Sequence, residues 1–228
     1  MSFDPPPGYA DFFGDAELFP GDDRYGYVDV PRVGGLRFRH LTPASGVHLV
    51  RAASGRFNDT ARSDAMMALV SSHVPEEELG RIAEAMMDGA GVEDSTLRIA
   101  RAITTWGTAR PYAAVVTLTV LLAHHWRSVR HKLLMAGLGH PMQLPTLHTL
   151  LDIAEDMAVS SATNKVIAAR SDPDLEMDAA IDSLYFTLYG PTRDNVALNG
   201  EETVPDGFDA DSVEDSFDAF ARAAANSS

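Results

Sequence analysis

Along most of the chain, apolar residues recur at the three-to-four spacing of helices, not in the alternation of strands. Tyr112, Val115, Thr119, Leu122, Trp126, Val129 and Leu133 mark one face of a long helix that Pro111 opens and Gly137 closes. In its first half the opposite side is apolar too, with Val116, Val120 and Leu121, so that half should be buried all round. In its second half the opposite side carries His124, Arg127, His131 and Lys132, so a basic face should emerge there. Shorter helices are expected on either side. Asn58, Asp59 and Thr60 are candidate caps for a helix to about Ser72. Pro75 with Glu76, Glu77 and Glu78 starts another that ends at Gly89, the acids sitting at the positive end of its dipole. Asp94 or Ser95 caps a third, through Trp106. Pro145 starts a helix to about Ser160 with the stripe Leu147, Leu150, Leu151, Ala154 and Met157, and a last one spans Asp174 to Leu188.

Outside these helices the pattern changes. Residues 1–35 are punctuated by Pro5-Pro6-Pro7, Pro20-Gly21 and Gly34-Gly35, which leaves room for no helix or long strand. The same stretch holds Phe3, Tyr9, Phe12, Phe13, Phe19, Tyr25 and Tyr27, more aromatic side chains than a solvating linker needs. It is read either as an arm packed on its own domain or as an arm that orders on a partner. Leu36, Phe38 and His40 alternate with Arg37 and Arg39, then Pro43 to Gly46 offers turn residues and Val47 to Val50 resumes, which predicts a short hairpin over 36–57. The fold class that results is mainly α: a compact helical domain at 36–190 around the central helix, an irregular arm at 1–35 and an acidic flexible tail at 191–228.

Charge sharpens this division. The net charge of −15 is concentrated at the two ends. Residues 1–31 hold seven acids and one base, residues 171–228 fourteen acids and two bases, and residues 32–170 twelve acids and fifteen bases. A charge of that sign argues against nucleic acid and against anionic membrane as partners. There are no cysteines, so neither a disulfide framework nor a thiolate metal site is available, which fits a cytoplasmic setting. The N-terminus lacks the basic and apolar regions of a signal peptide, and the most apolar stretch, Pro111 to Ala123, is too short to span a bilayer.

Chemistry is harder to find. His124, His125 and His131 have no carboxylate at helical spacing and no H-E-x-x-H pattern, so they read as a solvated basic face. His140 and His148 flank a proline-rich turn and read as turn or cap residues. There is no G-x-S-x-G elbow and no phosphate-binding glycine loop. Asp152, Glu155 and Asp156 read as a solvated helix face. No cofactor, metal or catalytic residue is therefore expected. The candidates are for partner binding: Trp106, Arg110, Trp126, Arg127, Arg130, Lys132, Phe217 and Phe220. Both tryptophans are more often core than contact residues. The basic patch serves either solubility or the docking of an acidic stretch, the chain's own tail or a partner's.

Several of these residues fall in longer runs with a family likeness. They are Ile103-Thr104-Thr105-Trp106-Gly107-Thr108-Ala109-Arg110-Pro111-Tyr112, Trp126-Arg127-Ser128-Val129-Arg130, Leu133-Leu134-Met135-Ala136-Gly137-Leu138, and Leu144-Pro145-Thr146-Leu147-His148-Thr149-Leu150-Leu151-Asp152. With Ala52 to Asp59 upstream and Phe217-Asp218-Ala219-Phe220 in the tail, this pattern resembles the tail assembly chaperones of long-tailed phages infecting actinobacteria. The resemblance covers about residues 50–190. It implies a non-enzymatic protein that binds the tape-measure protein, keeps its hydrophobic helices soluble and helps recruit tail-tube protein, in the host cytoplasm. Self-association is a further candidate interaction. The alternative is a structural virion protein, a connector or minor tail component, whose arm at 1–35 binds a neighbour.

Overall fold

The computed structural model describes residues 25–30, 33–87, 92–169 and 173–200. Within them the chain is mainly helical, with one short hairpin, and it divides after Met157 into two compact units.

The first unit opens with the hairpin. Strand β1 (Tyr25–Val30) pairs antiparallel with β2 (Gly34–Arg39), Tyr25 opposite Arg39 and Val30 opposite Gly34. Val30, Leu36 and Phe38 are fully buried, so the alternation of β2 does point its apolar residues inward. The partner strand is a correction. The expected hairpin over 36–57 does not form: its first strand pairs with Tyr25–Val30, inside the stretch expected to be irregular. Pro43 to Gly46 is not a hairpin turn but the entrance to helix α1 (Ser45–Ala53), and Val47, Leu49 and Val50 point into the core from that helix. A local polar bond favours this outcome, since the Ser45 hydroxyl accepts from the Thr42 backbone N–H at 3.0 Å.

Helix α2 (Asp59–His73) begins as expected, with the Asn58 side chain accepting from the Ala61 N–H at 2.8 Å. Helix α3 (Glu76–Met87) follows, its acidic first turn tied to the hairpin. Arg37 pairs with Glu77 and Glu78, and Arg81 reaches Glu78 at 2.7 Å and the Gly35 carbonyl at 3.2 Å. The expected stop at Gly89 lies outside the described residues. Helix α4 (Val92–Thr108) starts before the expected caps and buries Ile99, Ala100 and Ile103.

The central helix is two helices, α5 (Tyr112–His124) and α6 (Trp126–Met135), separated by His125 at φ −107° and ψ 14°. The interruption is local. The His125 N–H is shared between the carbonyls of Leu121 and Leu122, and the Val129 N–H still reaches the His125 carbonyl at 3.0 Å. The apolar stripe therefore survives it: every residue from Tyr112 to Leu133 named for that face is buried, and Trp126 is fully enclosed. Val116 and Val120 are buried as well, so α5 is a core helix on nearly all sides, packed against α1 and α4. Helix α6 ends on Gly137, whose φ of 76° lets the Leu138 N–H reach the Leu133 carbonyl at 3.0 Å. A 3-10 turn (Pro141–Gln143) capped by the His140 ring leads to α7 (Leu147–Ala169), whose Leu147, Leu150, Leu151 and Ala154 complete this core.

The second unit contains α8 (Pro173–Tyr189) and α9 (Arg193–Asn199). The second helix lies at the start of the stretch expected to be the acidic tail. Thr192 caps it, its hydroxyl accepting from the Asn195 N–H at 3.2 Å. Asn195 then clamps the end of α8, its amide donating to the carbonyls of Thr187 at 3.0 Å and Gly190 at 2.9 Å. The acidic residues from 201 onward lie outside the described residues.

Candidate partner-binding surfaces

The residues singled out for partner binding separate into three environments. Trp126 is part of the core, fully buried at the start of α6. Arg110 is also largely internal, with 9% of its surface exposed. Its guanidinium bonds Asp152 at 2.6 Å and Glu155 at 2.8 Å on α7, and its Nη1 donates to the Thr108 carbonyl at 3.3 Å. His148 joins this group, its Nδ1 lying 2.6 Å from the same carbonyl and 3.0 Å from Arg110 Nη1. Asp152 and Glu155 are thus not a purely solvated helix face. They close a charged link between the α4–α5 turn and α7. That turn contains Ala109 at φ 53°, a left-handed conformation that the surrounding bonds hold in place.

Trp106 lies between these cases. It is half exposed and leans on the hairpin. Its ring meets Phe38 edge-on at 5.0 Å and His40 at 5.8 Å. Gly26 permits this approach, because a Cβ there would sit 2.3 Å from the indole. Tyr25 and Tyr27 on β1 are also exposed, but they share a face of the hairpin with Arg37 and Arg39, opposite the face that meets Trp106.

The third environment is the outer face of α6. Arg127, His131 and Lys132 are exposed, and Arg130 is half-buried. The basic face expected for this half of the helix is present. It runs directly into three exposed apolar side chains, Leu134, Met135 and Leu138, of which Met135 is 75% exposed. Sequence reasoning named the cations and missed this apolar end. The signal was available, since Leu134 and Met135 fall off the buried stripe. Phe217 and Phe220 lie outside the described residues.

The second unit has a surface of its own. Tyr185, Phe186 and Val196 are exposed, and Asp178 and Asp182 stand exposed one and two turns before them on α8. Tyr185 stacks on Tyr189 at 5.9 Å. The methionines also divide: Met142 is buried, whereas Met67 and Met135 face solvent.

One polar pair inside the first unit looks like reactive chemistry and is not. The Ser45 hydroxyl lies 2.6 Å from His73 Nε2, but both residues are buried, Ser45 at 2% and His73 at 7% exposure. Burial, with His48 and Arg39 nearby, lowers the His73 pKa to about 4, so the ring is neutral near pH 7. The pair ties the start of α1 to the end of α2. Burial likewise raises the Tyr112 pKa and keeps its phenol protonated, directed at the Met66 sulfur at 3.8 Å. Among the described residues, no group of three or more His, Asp or Glu is placed to hold a metal ion, and no helix is long and apolar enough to cross a membrane.

No curated protein and no solved structure matches the chain. Two family profiles do. Residues 121–226 match a family of unknown function. Residues 2–111, which contain the hairpin, α1 to α4, Trp106 and Arg110, match the profile described as phage tail assembly chaperone protein. Over residues 2–111, just under half of the chain, the sequence is thus similar to phage tail assembly chaperones.

Proposed function

We propose that this chain is a phage tail assembly chaperone that acts on the tape-measure protein, keeping its long hydrophobic helices soluble until tail-tube subunits assemble around them. The family match over residues 2–111 carries this reading. The exposed apolar side chains support it, because a holdase needs apolar surface that a client can cover. Trp106, and separately Leu134, Met135 and Leu138 beside Arg127, Arg130 and Lys132, are the client contacts assigned here. Arg110 and Trp126 act as framework. Methionine at 67 and 135 suits a surface that must fit many apolar sequences. The acidic composition of residues 1–24 and 201–228 adds net negative charge that keeps the loaded complex dispersed. The work is binding rather than catalysis, and its place is the host cytoplasm.

Co-expression with the tape-measure protein tests the proposal. The client should remain soluble and co-purify with the wild-type chain. A Met135→Glu, Leu138→Glu variant should lower its recovery several-fold while keeping the helical circular dichroism of the wild type. If the tape-measure protein is equally soluble and equally assembled without this chain, the proposal fails. Mass spectrometry of purified particles addresses the virion-component alternative, since stoichiometric retention in the particle would favour that reading.

A further inference from the structure

Helix α1 is buried on every side but one. Of its residues only His48 and Arg51 are left half-buried, and a spacing of three makes them neighbours on that side. Arg51 is held firmly there. It lies in the last turn of the helix, where a cation meets the negative end of the dipole. Its guanidinium sits over the half-buried Phe57 ring, 5.3 Å from the centroid. Its Nε is buried and bonds to nothing among the described residues, so its terminal nitrogens are the part that meets solvent. Arg37, Arg62, Arg81 and Arg110 each pair with a carboxylate, whereas Arg51 pairs with none among the described residues. Asp59, the acid nearest to it in sequence, is engaged by Arg62 at 3.5 Å. Burial and the Arg51 charge hold the His48 pKa below its ordinary value, so that ring is neutral near pH 7 and offers one N–H.

We propose that Arg51, with His48 and Phe57, is a receiving site for a carboxylate side chain on an acidic segment of a separate partner protein. The two terminal nitrogens of Arg51 present parallel N–H groups, which match the two oxygens of a carboxylate. The ring of Phe57 and the buried Nε have already removed much of the side chain's freedom, so little ordering is left to oppose binding. The buried Nε has also given up water without gaining an acceptor, so part of the desolvation cost is met before a ligand arrives. Charge selects the partner. Residues 36–62 contain five arginines and one acid, so this corner attracts an anion although the whole chain carries −15. A phosphate brings up to two charges against one fixed cation, and a carboxylate brings one. The site lies apart from the client contacts at Trp106 and on α6 and does not rest on the tape-measure proposal.

Nuclear magnetic resonance of the isotope-labelled full chain tests this. The Arg51 Nε–H signal is assigned by its loss in Arg51→Lys, and the His48 ring supplies a second signal that survives in every variant. The probe is a blocked pentapeptide of four glutamates around one leucine. Both signals should move together and saturate as the peptide is added, and a glutamine version of the peptide should move neither. Arg51→Lys keeps the charge but loses the fork, and should weaken binding about tenfold when read on His48. Phe57→Leu, which removes the ring behind the guanidinium, should weaken it by a smaller factor. The exposed Arg193→Gln should leave it unchanged. Amide spectra that match the wild type away from α1 would confirm that a variant is folded, and if Phe57→Leu unfolds, Arg51→Lys decides. No saturable movement of the Arg51 signal would overturn the proposal. So would equal affinity in Arg51→Lys, which would mean loose attraction to any cation. Inorganic phosphate moving both signals while the peptide moves neither would overturn it too, in favour of a phosphate site.

Discussion

The core around α5 and the helix pair α8–α9 are held by different forces. In the first unit, Leu, Val, Ile and Ala side chains from several helices and from the hairpin form the core that buries Trp126, and Ser45 and His73 bond one another inside it. In the second unit, the end of α8 is fastened to α9 largely through one amide side chain, Asn195, while Tyr185, Phe186 and Val196 remain at the surface. The first arrangement spends apolar side chains on stability. The second keeps them available. The two arrangements are separated along the chain.

The largest expected effect tests the first half of that contrast. Trp126→Ala should destabilise the first unit by about 3–5 kcal/mol, enough to unfold it in many marginal domains, as read by chemical denaturation. A smaller effect comes from pH. The folded His73 pKa of about 4 lies below the ordinary value of 6.5, so between those values the unfolded chain binds a proton that the folded chain does not. Stability should be unaffected above about pH 6.5 and fall as pH drops toward 4, by about 3 kcal/mol at most. His73→Gln should flatten that slope. Next, Arg110→Ala leaves Glu155 facing an empty site and should cost about 2 kcal/mol, with Asp152→Ala costing less because that carboxylate is half exposed. Asn195→Ala should cost about 1–2 kcal/mol and should be read by hydrogen exchange at the end of α8. If its effect spread equally to α5 amides, the two regions would not be separate in stability. The smallest change expected is Phe186→Ala, within about 0.5 kcal/mol, since a surface side chain away from caps and cores contributes little. A large loss there would show that α8 is packed rather than open.

Much of the helical part was legible without coordinates. Asn58 at the start of α2, Pro75 before α3 and the stripe from Tyr112 to Leu133 all act locally, through a cap, a missing N–H or a repeat of one helical turn. The hairpin was half legible. The alternation of Leu36 and Phe38 identified β2, but its partner depends on which of two neighbouring segments pairs, and both offered turn residues. The preference of Val47 to Val50 for a core-facing helix decided it, and that preference shows only when α2 and α5 are in place to cover α1. Helix α9 was missed because a Thr cap and an Asn clamp leave no apolar period to detect. The division at His125 was missed for the opposite reason, since the apolar stripe continues through it unchanged.

At the functional surfaces the same boundary holds. The amino-acid sequence by itself determined the mainly helical class, the placement of charge at the two ends, the basic outer face of α6 and the family likeness now carried by residues 2–111. Each of these rests on residues close together in the chain. Only the tertiary structure decided that Arg110 is drawn inward by Asp152 and Glu155, that Trp126 is enclosed while Trp106 leans half exposed on Gly26, and that Leu134, Met135 and Leu138 stay uncovered. A tryptophan or an arginine has the same local preferences in a core and on a contact surface. Which one it joins depends on partners that lie tens of residues away and meet it only when the chain has folded.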